Sequence, residues 1–334
     1  MSAAAPASSN PSARAPGQGE LRHYPPGTGL RERITAAVMR GALLVTLKPF
    51  LGPPWPFAVQ RMALHNGSLA MPQDGRAQVK ADRIDHIPVE RVTPKSAQAA
   101  KAQPRHAILY LHGGAFVAGS PRTHRSITRR LSALTGAQVL VPHYRLAPEH
   151  PFPAQLDDCV RCYRQLLAEG YTPDRIAIAG DSAGGNLTLM TAIAARREGL
   201  ALPAALVMMS PAFSLSPPAD NSHVERMHRD PMIRLGWGEV VEKALKVPHD
   251  HPLADPMAQD LGGLPPTLTQ VGDDEVLYIN TMWFHEAAKA AGVHAETEVY
   301  LKRWHVFQAH AGLMQSSDEA LARQAAFMQR HWAR

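Results

Sequence analysis

From residue 76 onward the chain alternates between two kinds of stretch. Short apolar runs with β-branched residues read as buried strands at 106–111, 138–142, 175–179, 205–209, 267–271 and 296–301. Longer stretches between them carry apolar residues at helical spacing. They predict helices over 123–134, 153–169, 186–197, 279–291 and 317–332. Residues 79–82 and 87–92 predict paired extended segments, and the polar 95–105 predicts a loop. Strands separated by helices of about ten residues or more imply a mostly parallel sheet covered on both faces. The expected class is α/β.

Two regions break this rhythm. Residues 28–47 predict an amphipathic helix, followed by Phe50-Leu51-Gly52-Pro53-Pro54-Trp55-Pro56-Phe57, whose prolines forbid a long helix. Residues 213–255 are rich in proline and polar residues, with a helical part near 237–245. They read as an insertion over the carboxyl edge of the sheet, where such folds bind ligands. Residues 1–25 are expected to be a disordered tail, because 1–20 lack the basic start and apolar core of a signal peptide. A cap segment is drawn at 26–75 and the main α/β domain at 76–334, with cap residues inserted at about 213–255. The most apolar stretch, 36–47, is too short to span a bilayer.

A chain of 334 residues can bury a full core. Its 35 basic and 29 acidic residues leave a charge of +6. The densest cations, Arg122, Arg125, Arg129 and Arg130, spread over a broad helical face. They read as solvated surface and not as a nucleic-acid patch. The two cysteines, Cys159 and Cys162, have no second pair to complete a zinc site. They read as buried thiols, suited to a reducing compartment. His249-Asp250-His251 reads as a proline-flanked surface loop. Phe50, Trp55 and Phe57 fit a pocket lining or a structural anchor equally well.

The chemistry centres on Gly180-Asp181-Ser182-Ala183-Gly184-Gly185, between a predicted strand and a predicted helix. Gly-x-Ser-x-Gly in that context is a nucleophile elbow, whose sharp turn lifts the serine above the sheet edge. A serine hydroxyl needs a base, and the base needs an acid that orients it. Both should follow the serine in the order acid, then histidine. The acids Asp273, Asp274 and Glu275 end one predicted strand, and His305 follows the next. The chain holds 17 histidines, so order and placement carry this choice. His112-Gly113-Gly114-Ala115 directly follows a strand. The N–H groups of Gly113, Gly114 and Ala183 are the expected oxyanion donors.

Together with Tyr144-Arg145-Leu146-Ala147-Pro148-Glu149-His150-Pro151-Phe152-Pro153-Ala154 and Leu261-Gly262-Gly263-Leu264-Pro265-Pro266, these motifs resemble the bacterial hormone-sensitive lipase family of α/β-hydrolases. The resemblance covers roughly 104–310. It implies an α/β-hydrolase fold with a helical cap, and a carboxylesterase with a Ser182-Glu275-His305 triad and an acyl-enzyme intermediate. It implies no cofactor and no metal. Two positions depart from the family pattern. Ala115 replaces a third glycine, and Glu275-Val276-Leu277 stands where Asp-Pro-Leu is usual. The family's acid-to-histidine interval selects Glu275 over Asp274. The expected partner is a small-molecule ester of short to medium acyl length, in the cytoplasm, without nucleic acid or stable membrane insertion; a homodimer is compatible. A lactonase or amidase would use the same machinery, and a non-catalytic receptor would share the scaffold.

Overall fold

The computed structural model describes residues 19–27, 29–99, 103–214, 221–234 and 236–333. The first half contains β1 (Glu20–Tyr24), α1 (Leu30–Thr46), α2 (Phe57–Leu69), β2 (Ala77–Ile84), β3 (Ile87–Pro94), α3 (Lys95–Ala99), β4 (Ala107–Leu111), α4 (Arg125–Thr135), β5 (Gln138–Pro142) and α5 (Ala154–Ala168). The second half contains β6 (Ile176–Asp181), α6 (Ala183–Arg197), β7 (Ala205–Met209), α7 (Asn221–Arg229), α8 (Trp237–Leu245), β8 (Thr267–Gly272), α9 (Tyr278–Ala290), β9 (Ala295–Tyr300) and α10 (Gln315–His331). Nine strands form one sheet in the order β1-β9-β8-β7-β6-β4-β5-β3-β2. Only the β2–β3 and β3–β5 pairings are antiparallel.

The central strands β4, β5, β6, β7 and β8 are buried along their whole length, as parallel strands covered on both faces must be. Alternate side chains of β4 enter different cores. Leu109 and Leu111 pack with Leu156 of α5, Leu187 of α6 and Phe284 of α9. Ile108 and Tyr110 pack with Ile127 and Leu131 of α4 and Phe327 of α10. Cys159 and Cys162 are buried free thiols on α5, and burial pushes Cys162 up to about 12.

Three expectations are corrected, and one helix is added. The tail drawn to residue 25 ends earlier: Glu20–Tyr24 pair in parallel with Glu296–Tyr300 at the sheet edge. Tyr24 stacks on Tyr300 at 5.0 Å, with the Arg323 guanidinium 4.2 Å from its ring centre. Residues 1–18 lie outside the described residues. The loop at 95–105 opens with the short helix α3. A second helix, α2, follows the proline-rich segment. Three of the clustered arginines are half-buried and engaged, so they do not form a solvated patch. Arg125 pairs with Glu90, Arg130 with Asp318, and Arg129 donates to the Ala77 carbonyl at 2.7 Å.

α1 is fastened by a buried acid. Glu32 accepts from Arg303 Nη2 at 2.6 Å, Ser316 Oγ at 2.6 Å and the Gln315 N–H at 2.8 Å. Glu32 and Arg303 are each 4% exposed in their side chains. Burial alone would raise the Glu32 carboxyl, but these donors and the Arg303 charge hold it below its usual range. Glu32→Gln strands a buried guanidinium and should destabilise the fold by about 3 kcal/mol at neutral pH. A carboxyl depressed in the folded state stabilises above its unfolded pKa, and that stability fades as pH falls through the folded value. Urea midpoints of wild type and variant should therefore converge on acidification. Equal midpoints at neutral pH would show that the pair adds no net stability.

Candidate active site

Ser182 lies between β6 and α6 with φ 54° and ψ −120°, a backbone state that L-residues rarely adopt. The turn is held from both sides. Its N–H donates to the Met209 carbonyl of β7 at 2.8 Å, and its carbonyl accepts from Ala212 at 3.0 Å. Gly184 has no room for a Cβ, which would overlap the Leu111 carbonyl at the end of β4. That contact sets the loop after β4 against the nucleophile turn.

His112 begins that loop. It is buried and stacks on Tyr144 at 4.2 Å, while the Tyr144 hydroxyl donates to the His112 carbonyl at 2.7 Å. Gly114, Ala115 and Phe116 have φ of 118°, 54° and 60°. The Gly113 N–H, expected in the oxyanion hole, instead donates to Asp181 Oδ1 at 3.1 Å. Asp181 also accepts from the Tyr110 hydroxyl at 2.6 Å and faces His124 Nε2 at 3.2 Å. Burial opposes its charge, but His124 and Tyr110 hold the Asp181 carboxyl below its usual range. Asp181 thus occupies the donor that sequence reasoning gave to the oxyanion. The N–H groups of Gly114, Ala115 and Ala183 bond no other described residue. Ala183 begins α6, so its N–H has no intrahelical partner.

Ser182, Gly114 and His305 line one cavity of about 700 Å³. His305 follows β9, and Glu275 lies behind it, with His305 Nδ1 and Glu275 Oε1 3.7 Å apart. Neither atom has another partner among the described residues. The separation exceeds a hydrogen bond, as catalytic pairs often do before substrate binds. The other carboxyl oxygen of Glu275 is fixed by Ser210 Oγ at 2.8 Å, and Ser210 Oγ in turn accepts from the Val306 N–H at 3.2 Å. Asp274 faces elsewhere, pairing with Arg40 of α1 at 3.1 Å and Arg229 of α7 at 3.5 Å.

Sequence reading missed Asp230. It is fully buried and accepts the N–H groups of Met232 at 2.8 Å, Ile233 at 3.1 Å and Val276 at 3.2 Å. Met232 and Ile233 line the cavity, and Val276 follows Glu275, so one carboxylate ties the 213–255 segment to the acid. Its Asp-Pro-Met setting was the available signal. Burial pushes the carboxyls of Asp230 and Glu275 up. Burial would lower His305, but the negative charges of Glu275, Asp230 and Asp181 hold it above the ordinary imidazole range.

Most of the remaining wall is apolar and comes from α1, α2 and the turn after α1, including Met39, Leu43, Leu47, Val59 and Met62. Phe50 lines the cavity, whereas Trp55 anchors its turn by donating to the Pro49 carbonyl at 2.8 Å. His249-Asp250-His251 lies in a loop, as expected. Among the described residues one group with metal-type ligands stands elsewhere, at His294, Glu296 and His331. Glu296 is already held by Arg330 at 3.0 Å, with Arg22 at 3.9 Å, so cations crowd the carboxylate a metal would need. Among the described residues no helix is long and apolar enough to cross a membrane.

The chain matches the α/β hydrolase fold family model over residues 108–309. It is 37% identical to an acetyl-hydrolase of Streptomyces hygroscopicus over 246 residues, covering 73% of this chain and 82% of the relative. It is 33% identical to an esterase of Acinetobacter venetianus over 262 residues, covering 77% and 83%. A crystal structure of an esterase from the bacterial hormone-sensitive lipase family superposes with a TM-score of 0.82 at 34% identity, covering 92% of this chain and all of that one. The chain is therefore a carboxylic ester hydrolase and belongs to the bacterial hormone-sensitive lipase family of α/β-hydrolases.

Proposed function

We propose that Ser182, His305 and Glu275 form the triad of this esterase. The observation that carries the reading is the strained serine turn opening into the same cavity as His305, with Glu275 directly behind the histidine. Ser182 Oγ attacks the ester carbonyl as His305 takes its proton. The N–H groups of Gly114 and Ala115 in the loop and of Ala183 at the start of α6 receive the oxyanion. His305 returns the proton to the leaving alcohol, and water, activated by His305, hydrolyses the acyl-enzyme. Glu275 orients His305 and supports its charged form. Residues 26–75 and the 213–255 segment act as the cap. No step calls for a cofactor.

Ser182→Ala should lower turnover by on the order of 10⁶ without changing the melting temperature. Retention of most activity would remove Ser182 from the reaction. The cavity of about 700 Å³ and the acetyl-hydrolase relative favour compact acyl groups. The kcat/KM for nitrophenyl esters should peak at or below roughly eight acyl carbons. A maximum at long chains would contradict the cavity reading.

The acid is tested by two isosteric changes. Glu275→Gln should lower kcat by about 10⁴, as loss of the triad acid does in a serine protease. Asp274→Asn should cost far less, because it only loosens contacts with Arg40 and Arg229. The reverse order would make Asp274 the catalytic acid. The base must be neutral to act, and its pKa is raised. The acid limb of kcat/KM should therefore lie above the ordinary imidazole range, and in Glu275→Gln it should move to lower pH.

A further inference from the structure

The outer surface of the cap carries a feature that ester hydrolysis does not require. Along α1, Leu30, Ile34, Val38 and Val45 recur at helical spacing, and they are 71%, 54%, 62% and 73% exposed. Beside them on α2, Met62 and Leu69 are also exposed. Soluble proteins scatter single apolar residues over the surface, but a continuous stripe marks something that covers it.

Two further observations say what that is. The first is charge. Between Gly29 and Gln73 the sequence holds one carboxylate, Glu32, and it is buried against Arg303. The same span holds Arg31, Arg33, Arg40, Lys48 and Arg61; Arg40 pairs with Asp274 and Arg61 with the exposed Glu149, while Arg31 and Arg33 are exposed in the first turn of α1. α7 packs alongside, reached through Arg40 and Lys48, and adds exposed His228 and Arg229 against one exposed acid, Glu225. The second is position. The catalytic cavity reaches the surface between α1 and α2, where its lining residues Ala42, Thr46, Met62, Asn66 and Gly67 are exposed. On α1, Ala42 is the i+4 neighbour of Val38 and lies three residues before Val45, so all three share one face. The apolar stripe therefore borders the mouth.

We infer that the α1–α2 face docks reversibly on an anionic lipid bilayer, with α1 lying in the plane of the interface and the mouth turned toward the lipid. Exposed apolar side chains beside the exposed Arg31 and Arg33, with no exposed acid on α1 or α2 themselves, are the chemistry of an interfacial amphipathic helix. A second copy of the chain fits less well. It would close the mouth and set like charges against like. A bilayer instead supplies compact amphiphilic esters at the entrance. This delivery role rests on the ester-hydrolase reading; the docking itself does not.

The test is co-sedimentation of the full chain with vesicles of phosphatidylcholine, with and without phosphatidylglycerol. Wild type should pellet with the anionic vesicles, bind neutral ones more weakly, and be released in part by salt. Two double variants are compared, Ile34→Glu with Val45→Glu, and Arg31→Glu with Arg33→Glu. Each should lower the bound fraction at a given lipid concentration by about tenfold. Circular dichroism and hydrolysis of nitrophenyl acetate should stay at the wild-type level, because none of these residues lines the cavity. Turnover of a short-acyl ester embedded in anionic vesicles should fall with binding. The inference is overturned if wild type stays in the supernatant with both vesicle types, or if the variants bind as wild type does. It is overturned equally by a wild-type dimer in ultracentrifugation that the glutamates dissociate, which would assign the face to a second copy. If wild type binds vesicles yet hydrolyses neither ester, docking stands and the catalytic reading falls.

Discussion

The active region depends on one close approach, the end of β4 against the first turn of α6. Residue 184 has no room for a side chain because the Leu111 carbonyl fills the space where a Cβ would go. This approach sets the loop after β4, whose Gly114 and Ala115 N–H groups bond no other described residue, against the turn in which Ser182 holds a φ of 54°. Such strain costs about 1–3 kcal/mol and persists only where the surroundings over-determine it. Here β7 holds the serine N–H, Ala212 caps its carbonyl, and Asp181 ties the turn to the first glycine of the loop. The Ser182 turn and the loop that bears Gly114 and Ala115 are thus set by backbone packing.

A second principle organises the cap. Its anchors are carboxylates, each tied to the acid loop or to the loop that carries His305. Glu32 binds Arg303, two residues before His305. Asp274, next to Glu275, holds Arg40 and Arg229. Asp230 takes the N–H of Val276 on the other side of Glu275. Each anchor therefore meets the chain within two residues of Glu275 or His305. Asp230 and Asp181 also add negative charge around an imidazole that Glu275 alone would otherwise support.

Much of this was legible in the sequence, and the limits have physical causes. The parallel core could be read because β4, β6 and β7 are nearly continuous apolar runs separated by stretches with helical spacing. The turn at Ser182 could be read because its Gly-x-Ser-x-Gly motif demands a specific backbone geometry, whereas His305 could be read from order and placement alone. Glu275 needed register, since three consecutive carboxylates look alike until the chain is folded. β1 escaped because a charged five-residue edge strand has no apolar periodicity; its order comes from Tyr24 against Tyr300 and Arg323. The Gly113 error came from treating adjacent glycine N–H groups as equivalent. Which one faces a carboxylate is a matter of side-chain placement across 68 residues of sequence. The half-buried arginines near 125–130 failed for the same reason, since their partners lie on distant elements.

β1 and β2 stand at opposite edges of the nine-stranded sheet. The chain leaves one margin, runs through α1 and α2, and enters the sheet again at the other. Eight interstrand steps of about 4.8 Å put those margins roughly 38 Å apart. The two helices, of 17 and 13 residues, supply about 45 Å of rise at 1.5 Å per residue, enough to bridge the gap. The N-terminal part of the cap is thus a strap buckled at both ends. A swinging door needs a free edge, and this segment has none. Entry and exit must come from the helices parting or bending along their length, so stiffness within the strap, and not rotation about a pivot, sets how easily the cavity breathes.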